Sequence, residues 1–217
     1  MPAVARGGGA LDLAEMVGFL EQPANLVPYD GEVRLFTDVV VDAAGLLDQL
    51  KSGLEWRQHR IVVFNRMHDE PRLSAWYGEP ESTYTYSGTT LEPLAWREPL
   101  VFIKDVCEQL TGAKFNAVLA NLYRDGSDSM GWHADDEPEL GPSPTIASVS
   151  LGAERRFDLR HRRTKETVRI PLPHNSVLVM SGATQSHWLH AVAKTKRVRE
   201  PRVNLTYRLI FPELSRG

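Results

Sequence analysis

The stretch Gly131-Trp132-His133-Ala134-Asp135-Asp136 places a histidine and a carboxylate two residues apart. In an extended segment residues two apart point to the same side, so His133 and Asp135 can close on one ion. A third ligand must come from elsewhere, and Ser186-His187-Trp188-Leu189-His190 offers two candidates, His190 lying 55 residues past Asp135. Strand positions three apart face opposite ways, so at most one of His187 and His190 reaches the ion. Two imidazoles and one carboxylate on one face leave three coordination positions open, the arrangement of non-haem iron(II) oxygenases. Zinc in a hydrolase is the chemical rival, since Zn²⁺ accepts the same ligands. His161, in a charged run, and His174, before an Asn turn, read as surface residues.

A second constellation separates the two metals. From Arg202 to Leu209 the chain alternates, with Arg202, Asn204, Thr206 and Arg208 on one face and Val203, Leu205, Tyr207 and Leu209 on the other. Taken alone, this is an outer strand with a solvated polar face. Twelve residues after His190, however, two arginines flanking an amide and a hydroxyl make a surface of many donors suited to carboxylates. Asn121 and Tyr123, two apart before the His-x-Asp loop, add an amide and a phenol. A metal with open positions beside such a strand suggests a small dicarboxylate co-substrate, which a zinc hydrolase would not need.

These residues need a frame. A chain of 217 residues fills one domain. Leu46, Leu47, Leu50 and Leu54 recur at helical spacing behind Asp42, a plausible N-cap. Ile103, Val106, Cys107 and Leu110 form a second helical stripe, with Pro99 in its first turn and Gly112 at its stop. Cys107, the single cysteine, lies on that stripe and reads as a core residue rather than a nucleophile. Beyond Gly112 come short β-type runs at 114–123, 145–151, 155–160, 167–170, 176–181 and 202–210, which suggest a closed or double-sheet β structure with helices outside. Runs at 60–65 and 82–87 flank a Pro- and Gly-containing stretch and suggest one outlying hairpin.

The net charge of −3 hides a gradient. Residues 1–50 and 51–150 each carry a net −6, whereas residues 151–217 hold fourteen basic and five acidic side chains, a net +9. Such asymmetry fits an anionic partner on the C-terminal third, or a solvated basic surface. No apolar run reaches the ~18–20 residues that span a bilayer. Met1 to Ala10 carries three glycines where a leader would have its apolar core, so it reads as a frayed tail. The expected compartment is a cytoplasm, bacterial in the first instance, with a nucleus as the other option.

Read in order, five motifs resemble the AlkB family of nucleic-acid dealkylating dioxygenases. They are Asn121-Leu122-Tyr123-Arg124-Asp125-Gly126, His133-x-Asp135-Asp136-Glu137, Ile146–Ala153, His187-Trp188-Leu189-His190 and Pro201–Arg208. The resemblance covers roughly 60–212, and Pro71-Arg72 with Thr83–Gly88 resembles the substrate-recognition segment of its duplex-DNA repair branch. It implies an α+β fold, a double-stranded β-helix (jelly-roll) core at 113–217. Residues 1–112 would form an N-terminal extension carrying helices and a nucleotide-recognition hairpin at about 60–90, the whole making one compact structural domain. It implies Fe(II) on His133, Asp135 and His190, and 2-oxoglutarate on Asn121, Tyr123, Arg202, Asn204, Thr206 and Arg208, with O₂ as the oxidant. The implied activity is oxidative removal of N-alkyl groups from DNA bases such as 1-methyladenine and 3-methylcytosine, with release of aldehyde, succinate and CO₂. The nearest rival keeps this cofactor chemistry and changes the substrate to RNA or to something other than a nucleic acid.

A base inside a duplex cannot reach buried iron and must be flipped out. By the same resemblance Tyr84, Tyr86 and the His133 ring line the slot for the base, Asp136 and Glu137 meet its edge, Arg72 belongs to the substrate site, and Phe64 is the finger that fills the gap in the stack. Some of Arg155, Arg156, Arg160, Arg162, Arg163, Lys165 and Arg169, with some of Lys194, Lys196, Arg197 and Arg199, supply phosphate contacts. The expected partner is DNA carrying alkylated bases, met by a monomer away from any membrane.

Overall fold

The computed structural model describes residues 22–63, 66–82, 84–86 and 89–216; for 61–63, 66, 84–86, 89–91 and 215–216 only the course of the backbone is described. Two antiparallel sheets face each other. The larger has the order β1-β12-β9-β14-β7-β4, from Glu32–Thr37 (β1), Ser176–Ser181 (β12), Ile146–Gly152 (β9), Arg202–Arg208 (β14), Ala117–Tyr123 (β7) and Leu73–Gly78 (β4). The smaller has the order β11-β10-β13-β8, from Thr167–Leu172 (β11), Arg155–His161 (β10), Trp188–Val192 (β13) and Met130–His133 (β8).

The period of two decides what each face does. On β14, Val203, Leu205 and Tyr207 pack outward with Val118 and Ala120 of β7 and Val149 and Leu151 of β9. They meet the apolar faces of two helices, Ala43–Gly53 (α1) and Glu98–Thr111 (α2). Leu50, Leu100 and Cys107 are fully buried in that layer. Truncating Leu50 to Ala there should cost about 2–5 kcal/mol. Between the sheets lies a second apolar cluster, with Leu119 and Met180 from the larger sheet and Phe157, Leu159 and Trp188 from the smaller. The polar face of β14 therefore points not to solvent but into this inter-sheet space, and Arg202, Asn204, Thr206 and Arg208 are all buried.

Both helices begin and end as their sequences specify. The Asp42 side chain accepts the Gly45 N–H at 3.0 Å, a cap that satisfies one of the free donors of the first turn. Pro99 sits in the first turn of α2, and Gly112 closes it at φ 68°, a left-handed conformation that glycine adopts without steric cost.

Two features depart from the sequence reading. The larger sheet is not confined to residues 113–217, since β1 and β4 come from the N-terminal half. Among the described residues, the runs at 60–65 and 82–87 do not pair with each other. Arg60–Val63 (β2) pairs with Arg66–Asp69 (β3), and Tyr84–Tyr86 (β5) pairs with Thr89–Leu91 (β6). What separates the two hairpins is β4, whose Trp76 and Tyr77 are buried and whose whole length pairs with β7. Among the described residues no helix is long and apolar enough to cross a membrane.

Candidate active site

His190 on β13 lies directly opposite His133 on β8, their ring centroids 4.1 Å apart. The next partners are Val192 and Met130, so one residue of β13, Ala191, stands against two of β8, Gly131 and Trp132. Such a bulge re-aims side chains: Met130 and His133 both line the space between the sheets, while Trp132 turns out and is 41% exposed. Asp135 enters the same space two residues later. One ligand atom from each of His133, Asp135 and His190 lies within 4.8 Å of the other two.

The protonation states suit a cation. Burial lowers the His133 pKa, and burial together with the nearby His133 lowers that of His190 to about 3. Burial alone would raise Asp135, but Arg208, His190 and His133 outweigh it and hold the carboxyl at about 2. Two neutral imidazoles and one carboxylate is the state in which these groups ligate a metal. His133 Nδ1 lies 2.9 Å from the Gly131 carbonyl, which can only accept, so that nitrogen carries the proton and Nε2 keeps its lone pair. Arg208 Nη2 donates to Asp135 Oδ1 at 2.8 Å, and Gln185 Oε1 accepts the Asp135 backbone N–H at 3.0 Å.

The wall beside this cluster is cationic. Arg202 is 1% exposed and stacks its guanidinium 5.1 Å from the Tyr123 ring. Burial lowers its pKa to about 10, so it stays charged at neutral pH. One of its donors goes to Ser150 Oγ at 2.8 Å and the Tyr123 side chain lies close enough to favour its charge, but Nε and Nη1 are buried without a hydrogen bond of good geometry. A buried cation with unmatched donors is costly unless an anionic group supplies acceptors. Asn204 donates through Nδ2 to Ser148 Oγ and the Val149 carbonyl and accepts from Thr206 Oγ1, so this pair braces the strand. Asn121 and Tyr123 lie on the same wall, and Asn121 Oδ1 accepts from Arg72 Nε at 2.7 Å.

Residues 39–208 match the 2OG-Fe(II) oxygenase superfamily. The chain is 44% identical over 188 residues to the alpha-ketoglutarate-dependent dioxygenase alkB homolog 3 of Homo sapiens, covering 82% of this chain and 65% of that protein. It is 49% identical over 162 residues to the DNA oxidative demethylase ALKBH2 of Mus musculus, covering 70% of this chain and 67% of that protein. This chain belongs to the AlkB family.

A solved structure of OsALKBH1 superposes with a TM-score of 0.57 at 17% identity, covering 81% of this chain and 97% of that one, and shows the same fold. The human alkB homolog 3 match reaches further along the chain and the mouse ALKBH2 match is higher in identity, so they do not separate two branches. The chain spans 65% and 67% of the length of these relatives.

Within this AlkB-family chain the expected substrate residues fare differently. Asp136 is exposed and pairs with Arg162 at 2.6 Å, and Glu137 is half-buried beside it. Arg72 is 2% exposed and donates to Glu70 and Asn121, so its side chain lies inside the fold. Phe64 lies outside the described residues. Tyr84 and Tyr86 are placed on β5 by their backbone, but their side chains lie outside the described residues. The basic run is partly consumed within the protein. Arg155 is buried among three carbonyls, Arg156 pairs with Asp158, and Arg160 stacks 4.3 Å over Trp132. Arg163, Lys165, Arg169, Lys194, Lys196, Arg197 and Arg199 are exposed.

Sequence reasoning missed Gln185, Ser150 and Glu70, polar residues of ordinary type whose spacing carries no signature. It also placed His161 at the surface, whereas that ring is 1% exposed. There it packs against Tyr29 and Trp188 and joins Asp30 and His187 in a second cluster of metal-ligand types.

Proposed function

We propose that the chain is an Fe(II)/2-oxoglutarate-dependent dioxygenase that removes N-alkyl groups from DNA bases, 1-methyladenine and 3-methylcytosine among them. The alkyl carbon is hydroxylated and leaves as an aldehyde, while 2-oxoglutarate becomes succinate and CO₂. The observation that carries this reading is a single cavity in which His133, Asp135 and His190 converge beside a buried arginine with two unmatched donors. Iron(II), bound with 2-oxoglutarate and O₂, supplies the oxidising chemistry.

The protein's own groups do the rest. His133 offers Nε2 because Nδ1 is committed to Gly131. Asp135 stays ionised and oriented because Arg208 holds Oδ1, leaving Oδ2 for the metal. Arg202 offers Nε and Nη1 to the far carboxylate of the co-substrate, a charge-assisted contact of the strongest kind available to a side chain. Tyr123 and Asn121 complete that wall, and the apolar side chains of Leu119, Phe157 and Met180 limit water around the reacting centre.

For the substrate, Tyr84, Tyr86 and the His133 ring form the slot for a flipped base, with Asp136 and Glu137 at its edge and Phe64 filling the stack. The exposed basic residues of 163–199 hold phosphates, and the protein works as a monomer. Similarity to a protein named a DNA oxidative demethylase supports DNA over other substrates.

The test is aldehyde release from oligonucleotides carrying 3-methylcytosine, as single-stranded DNA, duplex DNA and RNA, with iron, ascorbate and O₂, with and without 2-oxoglutarate. Release from DNA that requires 2-oxoglutarate and disappears in His133→Ala is the expected result. Release from RNA alone would move the substrate, and succinate formation without aldehyde would keep the oxygenase and discard the nucleic acid.

A further inference from the structure

Arg72 is buried, and its charge stands outside the metal and co-substrate contacts of the cavity. Its three nitrogens are distributed over three segments. Nη2 donates to Glu70 Oε1 at 2.6 Å, Nε to Asn121 Oδ1 at 2.7 Å, and Nη1 lies 3.5 Å from the Ser129 carbonyl. Glu70 is itself 3% exposed, and its other oxygen accepts from Ser74 Oγ at 3.0 Å. A guanidinium has donors only, so it dictates which end of the Asn121 amide faces it. With Oδ1 committed to Arg72, the NH₂ end of Asn121 is what remains for the cavity that Asn121 lines. Reversed, the same amide would turn a carbonyl oxygen toward an incoming carboxylate and repel it.

Glu70 also ties this bridge to the hairpin of β2 and β3. It follows Asp69 directly, its N–H donates to the His59 carbonyl at 2.8 Å, and its carbonyl accepts from Gln58 Nε2 at 3.0 Å. Both partners lie just before β2, so one residue closes the base of the hairpin through its backbone and fixes Arg72 through its side chain.

We infer that Arg72 is a positioning residue that acts through Asn121: held by Glu70 at the hairpin base, it locks the Asn121 amide as a donor to the co-substrate carboxylate. The inference rests on the proposed 2-oxoglutarate site. A buried ion pair cannot be cut on one side without leaving the other charge unmatched, so Glu70 and Arg72 are neutralised together, as Glu70→Gln with Arg72→Met. Four proteins complete the cycle: wild type, that pair, Asn121→Ala, and all three changes combined.

The readout is the calorimetric Kd of 2-oxoglutarate on the Mn²⁺-saturated protein without turnover, with thermal melting to confirm folding. Asn121→Ala should weaken 2-oxoglutarate about ten-fold, the loss of one hydrogen bond to a charged group, and the neutral pair should weaken it by a similar factor. In the Asn121→Ala background the neutral pair should add less than two-fold, since there is no amide left to orient. Equal weakening in both backgrounds would overturn the inference, because a general loosening of the fold adds independently of Asn121. No weakening by the pair in either background would also overturn it. If wild type itself fails to bind 2-oxoglutarate, the reading of the cavity fails and takes the inference with it. Should the pair variant not fold, Arg72→Lys replaces it, keeping the charge for Glu70 while losing the fork that reaches Asn121.

Discussion

Two clusters in this molecule have the same composition. His133, Asp135 and His190 stand between the sheets, and Asp30, His161 and His187 stand near the outer end of β10; in each, one ligand atom per residue lies within 4.8 Å of the other two. Proximity therefore does not distinguish them. Lone pairs do. His161 Nδ1 accepts the Thr164 N–H at 3.1 Å, so its proton sits on Nε2, and Nε2 faces Asp30 Oδ2 at 3.2 Å. Both ring nitrogens are spoken for, and a metal would have to break that arrangement before binding. His133 has the opposite tautomer, with Nε2 left available. Surroundings differ as well: Asp30 and His187 are exposed, whereas Asp135 and His190 are buried beside Arg208 and near Arg202. A site that binds an ion and an anionic co-substrate needs free lone pairs and unmatched donors in one place, and only the first cluster has both.

The largest expected effect follows from that difference. His190→Ala should weaken Mn²⁺ binding by at least about 100-fold, more than the loss of an outer hydrogen-bond partner of a ligand would cause. His187→Ala should leave it unchanged, as read by calorimetry or by electron paramagnetic resonance. Equal losses in the two variants would merge the clusters functionally and undo the contrast.

Next in size is Arg202→Met. Removing a charged donor pair should weaken 2-oxoglutarate about 10- to 100-fold. The same change removes a buried cation whose Nε and Nη1 lack partners, so the ligand-free protein should melt at the same temperature or higher. A lower melting temperature with unchanged 2-oxoglutarate affinity would make Arg202 a structural residue.

How much of this was legible in the sequence depends on the range of the interaction. The His-x-Asp pair, the alternation of β14 and both helix caps are local patterns, and each is found where its period or capping residue puts it. That the polar face of β14 turns inward is not local, because alternation fixes only which residues share a face. The direction is set by α1 and α2 claiming the apolar side. Leu73–Gly78 carries no clear strand signal, since Pro71 and Gly78 punctuate it and Trp76-Tyr77 breaks the alternation, yet pairing along the whole of β7 makes it part of the larger sheet. His161, expected at the surface, is buried for a related reason. Charged and polar residues default to the surface unless their partners are known, and Thr164 and Asp30 become partners only after folding.

The smallest effect tests the second cluster from its own side. His161→Phe keeps an aromatic ring among Tyr29, His187 and Trp188 but leaves the Thr164 N–H without its acceptor and Asp30 without its donor. Both of those residues are exposed, so water recovers most of the loss. The expected cost is about 1 kcal/mol, a drop in melting temperature of about 2–4 °C for a chain of this size. Metal stoichiometry should remain one Mn²⁺ per chain before and after the change. A stoichiometry of two in wild type that falls to one in His161→Phe would mean that a cation can displace the Nε2 proton and draw Asp30 and His187 to itself. In that case the tautomer set by Thr164 is too weakly held to separate the clusters, and the buried arginines alone would distinguish the site that takes 2-oxoglutarate.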